Sequence, residues 1–290
     1  MSLPSDFLYA VTRLRSRFAD GLNEPRVGFG TGFWLHLPGD VHVFVTNKHN
    51  VDPSISFPKD QLRLDHLSLE LRRHRGDEAL IETRFFDVDP SAILVHPTAD
   101  VALVRPPSLP EADASGDEPF TIVGLPTHML ADTDWFHRHV SLTSMATFIG
   151  FPGNGKEHWF DQMRQTPIAR LATVASDPRH PFINARIPTA NVGLVSGLSF
   201  TGSSGSPLIV HERREPFNFG ITSGRMTVPP QIIGIMSGHF RERVDEEPEM
   251  FRHTGLSYFT RSDSILDLLR TIVPNVGDLS DQMHALGRDP

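Results

Sequence analysis

Short apolar runs recur along this chain, and glycine or proline closes nearly every one of them. With 22 glycines and 24 prolines in 290 residues, the backbone turns too often for long helices, and the pattern fits an all-β architecture better than a helical bundle. Strands are predicted over residues 28–37, 41–46, 67–71, 80–86, 93–95 and 101–104, and again over 120–123, 146–151, 168–174, 195–200, 207–210 and 232–236. Gly39-Asp40 reads as a hairpin turn between the first two. The segment 106–118 is rich in proline and acid and nearly free of large apolar side chains, which predicts a linker between two β-rich units. Helical spacing occurs near the two ends. Phe7, Leu8, Val11, Leu14 and Phe18 predict a helix over 6–18, capped by Ser5 or Asp6. Ile265, Leu268, Leu269 and Ile272 predict another over 262–272. The expected organisation is an N-terminal helical extension (1–25), a first β unit (26–105), the linker (106–118), a second β unit (119–262) and a C-terminal helix and tail (263–290).

Composition narrows the function classes. The formal net charge is −8, so general nucleic-acid binding is disfavoured, because phosphate affinity rests on clustered Lys and Arg. There are no cysteines, which excludes a disulfide scaffold, a thiol nucleophile and thiolate metal sites. No apolar run is long enough to span a bilayer, and residues 1–6 lack the features of a signal peptide, so a cytoplasmic location is expected.

Three motifs carry chemistry. Gly202-Ser203-Ser204-Gly205-Ser206-Pro207 precedes an apolar run, and its glycines flank Ser204 at −2 and +1. Such a turn can present a serine hydroxyl and bring backbone N–H groups close to a reacting oxygen. A serine nucleophile needs a base, and His49 follows the apolar run 41–46 directly. Asp100 opens the apolar run Val101-Ala102-Leu103-Val104, where a buried acid requires a partner such as an imidazole N–H.

In the order His49, Asp100, Ser204, these motifs resemble those of the chymotrypsin-like (trypsin-like) serine proteases, and Gly30-Thr31-Gly32-Phe33 resembles the family's first-lobe strand. The resemblance spans residues 26–262. It implies two six-stranded β-barrels with the site in the cleft between them, no cofactor, and a peptide or protein substrate. It also implies roles: Ser204 as nucleophile, His49 as general base and acid, Asp100 as the group orienting the imidazole, and the backbone N–H groups of Gly202 and Ser204 as an oxyanion hole.

The sequence departs from the zymogen-activated branch. There an aspartate precedes the nucleophile and pairs with a new N-terminus, whereas Ser203 stands here. The chain is therefore more similar to the bacterial HtrA-like or glutamyl-endopeptidase-like branch. Regulation through loop ordering or an activating protein partner is the alternative expectation, with the chain acting as a latent protease-fold binding module. The resemblance implies that Leu198 lies near the base of the specificity pocket and Met236 on its wall, which predicts an apolar residue on the acyl side of the cut. Ser237 and Gly238 are expected to run beside the substrate backbone, and His239 to add a polar contact.

Other signals carry less. Gly150–Lys156 resembles a phosphate-binding loop, but Glu157 stands where Ser or Thr is required. Fifteen histidines include no His-Glu-x-x-His spacing, so no metal is expected. The segment 129–144, with Trp135 and Phe136, does not read as strand.

Overall fold

The computed structural model describes residues 6–21, 24–75, 80–109, 119–153, 157–219, 222–244 and 247–273. The N-terminal unit is an eight-stranded sheet of β1 (Val11–Ala19), β2 (Arg26–Leu37), β3 (Val41–Thr46), β4 (Arg63–Arg75), β5 (Leu80–Asp87), β6 (Ile93–Val95), β7 (Ala102–Val104) and β8 (Leu125–Pro126). Its order is β5-β4-β1-β2-β3-β7-β6, all antiparallel, with β8 added parallel to β2. The C-terminal unit is a closed six-stranded barrel of β9 (Met145–Gly150), β10 (Ile168–Val174), β11 (Val192–Ser196), β12 (Pro207–Val210) and two further strands. A separate hairpin, β13 (Arg213–Phe219) with β14 (Thr222–Val228), precedes the last two barrel strands, β15 (Gln231–Val244) and β16 (Glu247–Arg261). Helices are short: α1 (Asp6–Ala10), α2 (Pro53–Ser56), α3 (Thr133–His139) and α4 (Ser262–Ile272). Among the described residues, no helix is long and apolar enough to cross a membrane.

The all-β reading holds, with one closed barrel where two were expected. Among the described residues the N-terminal sheet has no pairing that joins β5 to β6. The helix expected over 6–18 stops at Ala10, and residues 11–19 form a strand between β2 and β4. Thr12, Leu14, Ser16 and Phe18 are buried, while Arg13, Arg15 and Arg17 lie on the other face. That is period two, and sheet pairing selects it over the weaker helical spacing of Val11, Leu14 and Phe18. Residues 120–123 form only an isolated bridge, Thr121 to Arg72, and the strand follows at Leu125–Pro126. Residues 129–144 hold α3, whose N-terminus is capped by Asp132 accepting from the Trp135 N–H at 2.7 Å. Most of the expected linker, residues 110–118, and the tail from 274 lie outside the described residues.

Both faces of the central strands β2, β3 and β7 are buried, which explains their unbroken apolar runs. Trp34, Phe44 and Ala102 point into a core with Leu67, Leu69 and Leu71. Their neighbours Phe33, Leu35, Val43, Val45 and Leu103 point the other way, against Ile149, Ile209, Ile232 and Ile235 of the barrel and Ile265, Leu268 and Leu269 of α4. One core therefore spans the sheet, the barrel and the C-terminal helix, and it fixes the two units against each other. Phe148, Leu208, Ile233, Met236 and Phe259 belong to a second core cluster, drawn mainly from barrel strands.

Candidate functional site

His49 sits in a single turn of 3₁₀ helix, Lys48–Asn50, that caps β3. Asp100 lies two residues before β7, the strand paired with β3. This pairing brings the two residues together although 51 positions separate them. Asp100 Oδ2 accepts from His49 Nδ1 at 2.7 Å, and Asp100 Oδ1 accepts from the His49 backbone N–H at 2.9 Å. The Asp100 side chain is 4% exposed and that of His49 17%. A carboxylate can only accept, so the imidazole carries its proton on Nδ1 and keeps a lone pair on Nε2. Burial pulls the His49 pKa down, but the charge and hydrogen bond of Asp100 outweigh it and raise the pKa above the ordinary histidine value.

The backbone of Asp100 is held as firmly as its side chain. Asn47 Nδ2 donates to the Asp100 carbonyl at 2.9 Å and to Ser237 Oγ at 2.9 Å, and Ser237 Oγ lies 2.8 Å from Thr260 Oγ1. Ser237 thus ties the His49–Asp100 pair to the barrel wall.

Ser204 lies on the turn before β12 and is partly exposed. The turn depends on its glycines. Gly205 has φ +91°, and a Cβ there would stand 1.8 Å from the Thr31 carbonyl oxygen. Gly202 has φ +85°, and its Cβ would meet the Phe151 carbonyl oxygen at 2.4 Å. Thr31 of β2 is the crosspoint. Its N–H donates to the Ser204 carbonyl at 2.8 Å, and its hydroxyl donates to the Gly202 carbonyl at 2.7 Å while accepting from the Phe151 N–H at 3.0 Å. Asn50 Nδ2 donates to the Ser204 carbonyl at 3.2 Å and to Thr46 Oγ1 at 2.9 Å. The N–H groups of Gly202 and Ser204 donate to no protein acceptor among the described residues.

A second clamp acts on Ser203, which is 1% exposed. Arg170 of β10 donates to Ser203 Oγ and, at 3.1 Å, to the Leu198 carbonyl. Its guanidinium lies over the rings of Phe148 (4.6 Å) and Phe200 (5.2 Å). Burial lowers the Arg170 pKa to about 10, which leaves it cationic at neutral pH.

His49 and Ser204 line one cavity of about 790 Å³, together with Gly202, Met236, Ser237, Gly238 and His239. No hydrogen bond joins His49 to Ser204 in this structure. Leu198 is not among the lining residues, and its side chain is 52% exposed. Met236 does line the cavity but is itself 1% exposed. The lining mixes aromatic side chains, among them Phe29, Phe57, Phe200 and Tyr258, with polar ones. His239 stacks on His253 with centroids 4.5 Å apart, and Arg241 Nε donates to His239 Nε2 at 2.8 Å. Burial, with Arg241 and His253 nearby, lowers the His239 pKa to about 4, so it is neutral at pH 7 and able to accept that bond. Arg186 and Arg241 line the cavity, and among the described residues no carboxylate does.

Sequence reasoning singled out His49, Asp100, Ser204, Gly202, Met236, Ser237, Gly238 and His239, all of which lie at or beside this cavity. It missed Thr31, Asn47, Asn50, Arg170 and Arg241. Asn47 and Asn50 flank His49 as polar residues that end up buried, which is a legible signal in retrospect. Arg170 gave none, because a lone arginine in a strand reads as a solvated face. No protein-family model and no curated protein matches the chain.

Proposed function

We propose that the protein is a serine endopeptidase of the chymotrypsin-like kind. The observation that carries this reading is the His49 Nδ1 to Asp100 Oδ2 bond of 2.7 Å on a cavity that Ser204 also lines. Ser204 Oγ attacks the carbonyl carbon of a peptide bond, and its proton passes to His49 Nε2. The developing oxyanion accepts from the N–H groups of Gly202 and Ser204. His49 then gives the proton to the leaving amine, and water releases the acyl group by the reverse path. No cofactor takes part. A digest of a peptide library by the wild type and by Ser204→Ala tests the reading: cleavage by the wild type alone supports it, and equal cleavage by both removes it.

For the acyl side of the cut, where the sequence leads to the expectation of an apolar residue, we infer a preference for an acidic one. With Leu198 outside the cavity and His239, Arg241 and Arg186 on its wall, an acidic side chain gains charge-assisted hydrogen bonds that an apolar one cannot make. Peptides with Glu at that position should show kcat/KM at least ~10-fold above those with Leu, and Arg241→Glu should reverse the order.

A second reading is a latent protease-fold module that needs a partner. The missing His49–Ser204 hydrogen bond favours it. A serine-reactive phosphonate separates the two: labelling of Ser204 in the isolated protein supports the active enzyme, and labelling only in the presence of a partner supports the latent form.

A further inference from the structure

Far along the β2–β3 hairpin from the site, three donor groups converge. His36 on β2 and His42 on β3 are direct cross-strand partners, so their side chains leave the same face of the ribbon. Their rings stack with centroids 5.0 Å apart and planes 15° from parallel. The turn between the strands, Pro38-Gly39-Asp40, puts Asp40 at φ +59°, and its Oδ1 comes within 3.3 Å of His36 Nε2. One ligand atom from each of the three residues lies within 4.8 Å of the other two. His42 is backed by Gly124, where a Cβ would stand 2.9 Å from the imidazole ring.

We infer that His36, Asp40 and His42 form a binding site for a divalent transition cation of the zinc class. Two donors about 2.1 Å from a tetrahedral zinc ion are roughly 3.4 Å apart, close to the His36–Asp40 separation. Imidazole nitrogen with one carboxylate suits zinc, nickel or copper better than calcium or magnesium. All three ligands come from seven consecutive residues of one hairpin, so closing the site orders little additional chain. Water completes the coordination, since His36 and Asp40 are 45% and 91% exposed. The sequence hid this site because its spacing, His-x₃-Asp-x-His, follows a hairpin register and not a helical repeat. Thr31 lies five residues up β2, about 17 Å at strand rise, so the cation acts as a clip on the hairpin turn and not as part of the chemistry around Ser204.

The test is titration of the full chain with zinc chloride by calorimetry, beside the double variant His36→Ala/His42→Ala. One zinc ion per chain with a micromolar Kd is expected, weakened at least 100-fold in the double variant and about 10-fold in Asp40→Asn. The proposal is overturned if the wild type binds no zinc up to 100 µM, or if the double variant binds as tightly as the wild type. The second result would place zinc on other histidines, such as the His239–His253 stack. A measurement on the wild type alone removes dependence on folding of the variant. Zinc should protect His36 and His42, but not exposed His180, from diethylpyrocarbonate, read by mass spectrometry. Equal modification of His36 and His42 with and without zinc would also overturn the assignment.

Discussion

Both carboxylate oxygens of Asp100 serve His49, one taking the ring proton and one the backbone N–H. Asp100 therefore sets the position, tautomer and basicity of the imidazole together. On the proposed mechanism His49 is a general base and acts when neutral, so activity should rise with pH through a His49 pKa above the ordinary value of ~6.5. Asp100→Asn removes the charge that raises this pKa and leaves burial, which lowers it. The inflection of kcat/KM should move to lower pH, and the plateau should fall by about 10³–10⁴-fold as the wrong tautomer becomes favoured. An unchanged inflection in a kcat/KM profile would separate Asp100 from the base. Arg170 lies one step further back, holding the Leu198–Ser203 segment that leads into the Ser204 turn, and on the proposed mechanism it is a positioning residue. Arg170→Ala should lower kcat by about 10²-fold with KM within twofold, because the oxyanion donors act mainly in the transition state. Arg170→Lys, which keeps the charge but loses the fork, should recover only part of that loss. Steady-state kinetics of the two variants reads both effects.

At the scale of single elements, β1 and the Ser204 turn show how neighbours override local preference. As a helix, residues 11–18 would put Arg15 on the same face as Leu14 and Val11. As a strand they put Leu14 in the core and Arg13 against Glu70, with bonds of 2.9 and 2.7 Å. Leu14 is 1% exposed, so Leu14→Ala should cost about 2–5 kcal/mol in urea denaturation, whereas Arg15→Ala should stay near zero. The Ser204 turn is limited by backbone and not by side chains. Gly205→Ala sets a methyl against a carbonyl at a left-handed φ, so at least about 3 kcal/mol of stability should be lost, with Ser204 displaced. The same denaturation experiment checks it, and a Gly205→Ala protein of wild-type stability would show that the turn relaxes freely.

For the molecule as a whole, the shared core decides cooperativity. Sheet, barrel and α4 contribute to one cluster, so the two β units lack separate cores on their facing sides. Differential scanning calorimetry should give a single transition, with calorimetric and van't Hoff enthalpies in agreement. Two resolved transitions would show that the units fold independently. Truncation after Arg261 removes Ile265, Leu268 and Leu269 from that core and should destabilise both units at once.

The local pattern alone was enough for the β class, for α4, for the β2–β3 hairpin turn at Gly39-Asp40, and for the three motifs that hold His49, Asp100 and Ser204. Each of these rests on interactions within a few residues: alternation, capping, turn chemistry, a charge at a strand end. What only the tertiary structure decided rests on partners far along the chain. Residues 11–19 became a strand because β2 and β4 offer them ladder hydrogen bonds. The N-terminal sheet gained β1 and β8 in place of the expected closed barrel. Thr31 reaches the Ser204 turn 173 positions later, and Arg170 reaches Ser203 33 positions later. Leu198 lies outside the cavity lining, Arg241 of β15 lies in it, and the β15–β16 pairing sets His253 of β16 beside it. The physical reason is the same in each case. Local preferences differ by about 1 kcal/mol or less per residue, and burial of one large side chain in a shared core contributes more than that. Where the two agree the sequence is legible, and where they conflict the packing prevails.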